Sequence, residues 1–227
     1  MAINIRACVA EFIGTYALVF FGSLAIAHAA SYAEFALLQV AFAHGLIIAV
    51  MVYSFGHVSG AHFNPAVTIP MIYRKQIDAQ NGIAYIFSQL AAGVVAAIAH
   101  SLILPSSITS NNLGSNLPGA GISDATVLIV EIILTFFLVL VIFNTAVNKK
   151  APAGWHGFAI GMIITIDILA GGPITGASMN PARSFGPAII SYLYGVSGAL
   201  QSHHLYWIAP IIGGLIASAT AKIINED

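Results

Sequence analysis

Six long apolar runs limit what this chain can fold into. Each approaches the roughly 20 residues that an α-helix needs to cross about 30 Å of hydrocarbon. The composition agrees, because only 7% of the 227 residues are charged and 59% are hydrophobic. The sequence therefore predicts an integral membrane protein with six spanning helices. The runs cover residues 7–30, 35–55, 83–104, 125–147, 155–172 and 205–224.

The few basic residues predict how these helices are oriented, because Lys and Arg collect on the cytoplasmic side of membrane proteins. If Arg6 lies inside, six spans also place inside the links that hold Arg74 and Lys149 and the tail that holds Lys222. We therefore expect both termini in the cytoplasm, with the protein in the cell membrane or, alternatively, the vacuolar membrane. Arg183 falls on the outer side, so its position needs a reason other than topology.

One phrase occurs twice in the sequence, as SGAHFNPAVT from Ser59 and as TGASMNPARS from Thr175. A Glu-x-x-x-Thr pattern also recurs upstream of each copy, at Glu11 and Glu131. Each half then contains three spans, and an odd number of spans makes the second half enter the bilayer upside down relative to the first. We predict a single domain over residues 1–227, built from inverted repeats at about 1–104 and 124–227 that the outer loop 105–123 joins.

Each Asn-Pro-Ala predicts the start of a short helix. Asn is a strong N-cap residue, and Pro is favoured at the first helical position because its missing N–H would have no partner there. A helix over residues 64–73 would be about 15 Å long, roughly half of the bilayer core. Because the flanking spans return to the same side, this segment dips into the membrane and comes back. The motif residues are Asn64, Pro65, Ala66, Asn180, Pro181 and Ala182.

The copy over residues 180–190 would dip in from the opposite side, so the two Asn residues would meet near the middle of the membrane. The predicted fold class is an all-α membrane protein with six transmembrane helices and two re-entrant half-helices in inverted repeats. Re-entrant backbone is tolerated at this depth where it lines a water-filled cavity or is buried in protein, which indicates a pore. We expect extended peptide before each N-cap, with its carbonyl oxygens along the pore. These carbonyls would belong to Gly60, Ala61, His62, Phe63, Gly176, Ser178 and Met179.

These motifs resemble the aquaporin (major intrinsic protein) family, whose signature is two Asn-Pro-Ala half-helices in inverted repeats. The resemblance covers nearly the whole chain, from AEFIGT through GHVSGAHFNPAVT and APAGWHGFAIG to GGPITGASMNPARSFGPA. The segments AFAHGL and ILAGG are most similar to the tonoplast-type branch, which is associated with ammonia conduction. The resemblance implies a homotetramer in the lipid bilayer, with one pore in each subunit.

The resemblance also implies a selectivity filter on the outer side of the two motifs. Arg183 would supply hydrogen-bond donors and positive charge at the narrowest point. The side chains of Asn64 and Asn180 would accept half-helix N–H groups and donate to a passing water. Together with the half-helix dipoles, these groups would repel protons and cations, as is known for aquaporins. The filter positions fall on His44, Ile168, Ala177 and Arg183.

Other polar residues in the apolar runs need an explanation. Glu11 and Glu131 could relay protons or could accept hydrogen bonds from the loops, and their matching positions favour the second role. His57 is predicted to bond the first loop. Asp167, beside Ile168, could bond an outer loop or attract cations, and the residues leave both open. No motif predicts a cofactor, a nucleic-acid partner or a metal site.

Three function classes fit the pattern to different degrees. A passive channel for water, ammonia and other small neutral solutes that excludes protons and ions explains the paired caps and Arg183. A glycerol or small-polyol facilitator is the alternative within this class. A coupled secondary transporter also uses inverted repeats and broken helices, but it would need a substrate or ion site. A structural role at a membrane junction would need only the fold. No nucleotide or nucleophile motif supports an enzyme.

Overall fold

The computed structural model describes residues 2–29 and 33–225. Nine α-helices and no strands lie in these two ranges. A π-helical turn, Phe143–Val147, continues the sixth helix. The helices are α1 (Ile5–Ala29), α2 (Ala36–Ser59), α3 (Pro65–Tyr73), α4 (Ala79–Ile103), α5 (Ser107–Ser110), α6 (Asp124–Ile142), α7 (His156–Thr175), α8 (Pro181–Leu193) and α9 (Leu205–Asn225).

Six of these helices, α1, α2, α4, α6 with its π turn, α7 and α9, are long and apolar enough to cross a membrane. This confirms the six predicted spans, although the first predicted span ended at Ala30, which lies outside the described residues. Both α2 and α7 continue past their apolar runs. Each ends at a glycine in the left-handed conformation, Gly60 with φ 84° and Gly176 with φ 79°. Glycine adopts this conformation without a steric penalty, so these two residues set where the helices stop.

The two short helices α3 and α8 are the predicted re-entrant half-helices. Asn64 caps α3, and its Oδ1 accepts the Ala66 N–H at 2.8 Å. Asn180 caps α8, and its Oδ1 accepts the Ala182 N–H at 3.0 Å. The predicted fold class is therefore confirmed, and α8 ends at Leu193, slightly later than expected.

Corresponding helices of the two halves make corresponding contacts. Helix α1 packs on α2 and α4, just as α6 packs on α7 and α9, and α2 packs on α7 between the halves. At that crossing, a Cβ added to Gly45 would meet the carbonyl oxygen of Gly161, and a Cβ added to Gly161 would meet the carbonyl oxygen of Gly45. Close approach through small residues is the usual way in which helices associate in membranes. The repeat limits at 104 and 124 stay a prediction.

Each half-helix packs on a spanning helix of the other half. A Cβ added to Gly93, on α4, would lie 2.5 Å from the carbonyl oxygen of Ala182 in α8. A Cβ added to Gly214, on α9, would meet the carbonyl oxygen of Ala66 in α3. The alanines of the two Asn-Pro-Ala motifs therefore rest on glycine backbone, and no larger residue fits at these two glycines without a shift.

We expect Gly93→Ala to lower the stability of the fold, because the added methyl group overlaps the Ala182 carbonyl and overpacking of this kind costs about 1–3 kcal/mol. The control is Gly56→Ala on α2, where an added Cβ meets no atom within 4 Å. That change should be neutral or stabilising, because Ala is the better helix former by about 1 kcal/mol. Thermal unfolding of both variants in detergent measures the difference. Equal melting temperatures would contradict the docking contact.

Candidate functional site

A cavity of about 510 Å³ lies inside the helix bundle, between α2, α7 and the two half-helices. A second cavity, of about 370 Å³, lies beside it and shares Ile168 and Arg183 with it. The two cavities therefore meet at these two side chains. Gly176 lines only the second cavity. The other predicted pore residues that line the first cavity are His44, Gly60, Ala61, His62, Phe63, Asn64, Ala177, Ser178, Met179 and Asn180.

The prediction that the loops before the caps are extended was wrong, because most of their residues have left-handed backbone conformations. In the first loop, Gly60, Ala61 and Phe63 have φ values of 84°, 51° and 51°. The matching residues of the second loop are also left-handed: Gly176, Ala177 and Met179, with φ values of 79°, 45° and 54°. For residues with a side chain, this conformation costs on the order of 1–3 kcal/mol each and persists where surrounding groups support it.

Glu11 supplies that support for the first loop. Its Oε1 accepts the His62 N–H at 2.9 Å, and its Oε2 accepts the Phe63 N–H at 2.6 Å. Ser59, at the end of α2, also donates its hydroxyl to Oε1 at 2.7 Å. Gln89 of α4 donates to Oε2 at 2.8 Å. The carboxylate is fully buried and surrounded by donors, which favours the acceptor role over proton relay.

Glu131 makes the corresponding contacts in the second half, except that the described residues give no counterpart of Gln89. It accepts the N–H groups of Ser178 and Met179, each at 2.8 Å, and the Thr175 hydroxyl at 2.7 Å. Like Glu11, it has no exposed surface. The left-handed residues turn consecutive N–H groups of each loop towards one carboxylate.

Two tyrosines that the sequence did not indicate as site residues hold the ends of α2 and α7. Tyr85 donates to the Ser59 carbonyl at 3.1 Å, and Tyr206 donates to the Thr175 carbonyl at 2.8 Å. Tyr206 is fully buried. Ser59 and Thr175 could have been predicted as site residues, because each is the first residue of one copy of the repeated phrase.

The prediction that His57 bonds the first loop was wrong. His57 is exposed, and its side chain has no hydrogen bond to that loop among the described residues. Ser59 contacts Glu11 instead. Residues two apart on a helix point about 200° from each other, so the helical face that reaches Glu11 excludes His57.

The two Asn caps are bonded to each other's loops. Asn64 Nδ2 donates to the Met179 carbonyl at 2.8 Å, and Asn180 Nδ2 donates to the Phe63 carbonyl at 2.9 Å. The sequence had assigned each amide NH₂ to passing water, whereas one of its two hydrogens is used inside the protein. Both Asn residues line the first cavity, so the second hydrogen of each amide is the one that a solute can meet.

The structure brings together the four residues that the resemblance places in the filter. All four are buried and line the first cavity. His44 Nδ1 lies 2.8 Å from the Val40 carbonyl, which can only accept, so Nδ1 carries the proton. The lone pair of His44 Nε2 then faces Arg183 Nη2 at 3.3 Å. Ile168 and Ala177 supply apolar surface beside this pair.

Arg183 also bonds the loop that joins the halves, which the sequence had treated only as a linker. Its Nη1 donates to the Gly114 carbonyl and to Asn116 Oδ1, both at 2.7 Å. Asn116 was missed because one Asn in a segment rich in Asn, Ser, Gly and Pro looks like any other turn residue.

Asp167 supports neither role that the sequence left open. It is buried but lines neither of the two cavities, and its Oδ2 has no hydrogen-bond partner among the described residues.

Comparison with known proteins identifies the family. The profile of the major intrinsic protein family matches residues 1–220. The chain belongs to the major intrinsic protein family. It is 38% identical to "Aquaporin NIP3-1" of Arabidopsis thaliana over 98% of this chain and 68% of that protein. It is 36% identical to "Glycerol uptake facilitator protein-like 6" of Lactiplantibacillus plantarum over 98% of this chain and 99% of that protein.

A solved structure shows the same fold. The X-ray structure of the aquaglyceroporin from Plasmodium falciparum superposes with a TM-score of 0.84 at 23% identity, covering 97% of each chain. The resemblance to the family is thus confirmed, and this major intrinsic protein is a multi-pass membrane channel for water or small solutes and not an enzyme. Its assignment to the tonoplast-type branch stays a prediction.

We expect Glu131→Gln to destabilise the protein and to reduce its channel activity. Glutamine has one oxygen, so one of the two loop N–H groups would face an NH₂ group, and a buried unpaired donor costs about 1–3 kcal/mol. The matched control is Glu34→Gln, because Glu34 is exposed on a short turn before α2. Melting temperature in detergent and osmotic water flux in liposomes test this. A Glu131 variant that behaves like the Glu34 variant would show that the loop does not depend on the carboxylate.

Proposed function

We propose that this protein is a passive channel for water and ammonia that excludes protons and ions. The observation that carries the proposal is the meeting of two half-helix N-termini in one cavity. The Asn64 and Asn180 caps reach each other's loops at 2.8 and 2.9 Å, so the positive ends of α3 and α8 face the same region. Each end carries roughly half a unit charge.

This arrangement supports proton exclusion as well as cation exclusion. Each capping amide has one N–H left for the cavity. A water molecule that accepts hydrogen bonds from both N–H groups turns its own hydrogens outward. It therefore does not pass a proton along the file of waters. Arg183 adds a full positive charge at the filter, and both effects belong to the mechanism known for aquaporins.

The lining of the cavity favours a channel over a coupled transporter. Among the residues that the structure describes, no Asp or Glu lines either of the two cavities, so neither cavity shows a carboxylate that could bind a sodium ion or a proton. A junction protein without transport would need no pore. The cavity between the half-helices therefore favours conduction.

The composition of the filter supports ammonia as a second solute. Three of the five N–H groups of Arg183 have partners in the protein, which leaves two donors for a solute. His44 Nε2 is directed at Arg183, and Ile168 adds an apolar face. Water can accept from both donors. Ammonia uses one donor for its single lone pair and, because it is less polar than water, loses less against the apolar face.

A glycerol or polyol facilitator is the alternative, because one relative carries that name. Two features favour the smaller solutes. Ser184 follows Arg183, where glycerol facilitators of the family usually have Asp. In addition, the filter lacks the aromatic pair that forms their apolar wall.

We propose a homotetramer with a pore in each subunit, with both termini in the cytoplasm and the cell membrane as the location. The vacuolar membrane is the alternative. Large apolar side chains on the outer faces of several spanning helices are exposed in the single chain, including Phe87, Leu102 and Ile129, and suit contact with lipid or with neighbouring subunits.

Purified protein in liposomes should raise osmotic water permeability with a low activation energy, while proton conductance stays at the protein-free background. Water flux should not depend on a sodium or pH gradient. Stopped-flow light scattering and an internal pH dye measure the two quantities. Asn180→Asp places a carboxylate at the cap and should weaken proton exclusion. A wild-type protein that collapses a proton gradient would overturn the mechanism.

The double variant Ile168→His with His44→Phe should reduce ammonia flux more than water flux, because it replaces the apolar face with a polar group. Ammonia entry is measured as internal alkalinisation of the vesicles. The control is Ile166→His, which lies on the same helix but is exposed on its outer face. Equal losses of both fluxes, or no ammonia flux in the wild type, would argue against this filter and leave the water channel standing.

A further inference from the structure

We propose that Asn116 is a positioning residue of the filter, which fixes the guanidinium of Arg183 through a neutral acceptor, so that no carboxylate contacts this charge at the filter. The proposal rests on the filter role of Arg183 given above. It assigns a selectivity function to the loop that joins the two halves.

Asn116 connects two walls of the filter through one side chain. Its Oδ1 accepts from Arg183 Nη1 at 2.7 Å and from the Ser184 hydroxyl at 2.8 Å. Its Nδ2 donates to the Gly176 carbonyl at 2.8 Å, directly before the filter residue Ala177. Only 2% of the residue is exposed. The amide is therefore fixed by three hydrogen bonds at a buried position.

The contacts of Asn116 decide which donors of Arg183 remain for a solute. Both Nη1 hydrogens are occupied, one by Asn116 Oδ1 and the other by the Gly114 carbonyl. One Nη2 hydrogen points to His44 Nε2. The Nε hydrogen and the second Nη2 hydrogen remain. Without Asn116, Nη1 would keep only the Gly114 carbonyl as an acceptor, and the guanidinium would be free to turn its donors away from their present directions.

The fit around Asn116 leaves little room for other side chains. A Cβ added to Gly176 would lie 3.0 Å from Asn116 Nδ2, and Gly176 itself has a φ of 79°. Asn116 also lines the second cavity together with Arg183 and Gly176. A shorter side chain at position 116 would therefore widen the passage where the two cavities meet.

The neutrality of Asn116 is as important as its shape. An Asp of the same size would place a carboxylate about 2.7 Å from the guanidinium, at the distance of the present contact. Among the described residues no carboxylate lines either cavity, and Glu131 is engaged by loop N–H groups. The new charge would therefore be the one in direct contact with Arg183 at the filter. An Asp would also lose the donor to the Gly176 carbonyl.

The experiment compares Asn116→Asp and Asn116→Ala with Asn111→Asp in proteoliposomes. Asn111 lies in the same loop, and its Oδ1 accepts from Ser107, so its replacement adds the same charge without touching Arg183. For Asn116→Asp we expect the ratio of cation or proton conductance to water flux to rise at least about tenfold, because the new carboxylate offsets the charge of Arg183. For Asn116→Ala we expect the ratio of glycerol flux to water flux to rise several-fold. Asn111→Asp should match the wild type.

A double-mutant cycle with Arg183→Ser tests whether Asn116 acts through Arg183. If it does, Asn116→Ala should change selectivity in the wild type and add nothing in the Arg183→Ser background, because coupled residues are not additive. Additive effects would overturn the positioning role. If Arg183→Ser alone leaves selectivity unchanged, the proposed filter is wrong.

If Arg183→Ser alters selectivity but Asn116→Asp and Asn116→Ala do not, the filter stands and the present proposal fails. Should Asn116→Ala not fold, Asn116→Asp carries the test alone, because it keeps the size and the acceptor of Asn. Its water flux then serves as the internal measure of folding, and unchanged ion exclusion would overturn the proposal.

Discussion

Two buried carboxylates hold the pore of this protein in place. The loops before the caps contain left-handed residues, and their N–H groups have no partner within the loop. The side chains of Glu11 and Glu131 suit this role, since each carboxyl group can accept at both of its oxygens. Each one binds two consecutive N–H groups. The Asn caps follow directly in the chain, so the position and direction of both half-helix dipoles depend on these bonds.

The rest of the site is shared between the two halves. The amide of each Asn bonds the opposite loop, and each half-helix packs on a glycine of the other half. The filter is shared as well, because His44 comes from the first half and Arg183 from the second. Asn116 of the connecting loop then bonds Arg183 and Gly176 of the second half. The channel is therefore a property of the interface, and neither repeat contains a complete one.

The sequence predicted the features that have local causes. The apolar runs predicted the spanning helices, and the Asn-Pro pairs predicted the half-helices. The repeat indicated Glu11 and Glu131 as residues that support the loops. The loop conformation could not be predicted, because left-handed residues there depend on carboxylates distant in sequence. The partner of Arg183 could not be predicted for a similar reason, as nothing near Asn116 marks it. The prediction for His57 was wrong because Ser59, and not His57, lies on the side of α2 that faces Glu11.

Each half-helix packs on a glycine of the other half, and these two glycines are made at different times during synthesis. Helix α8 emerges after α4 and finds Gly93 in place. Helix α3 emerges long before α9, so Gly214 is absent when the first half enters the bilayer. A re-entrant segment without its protein neighbours would expose unpaired backbone to lipid, at a cost of several kcal/mol per group. The first half-helix therefore lacks one of its two main packing partners until the last helix of the chain is present.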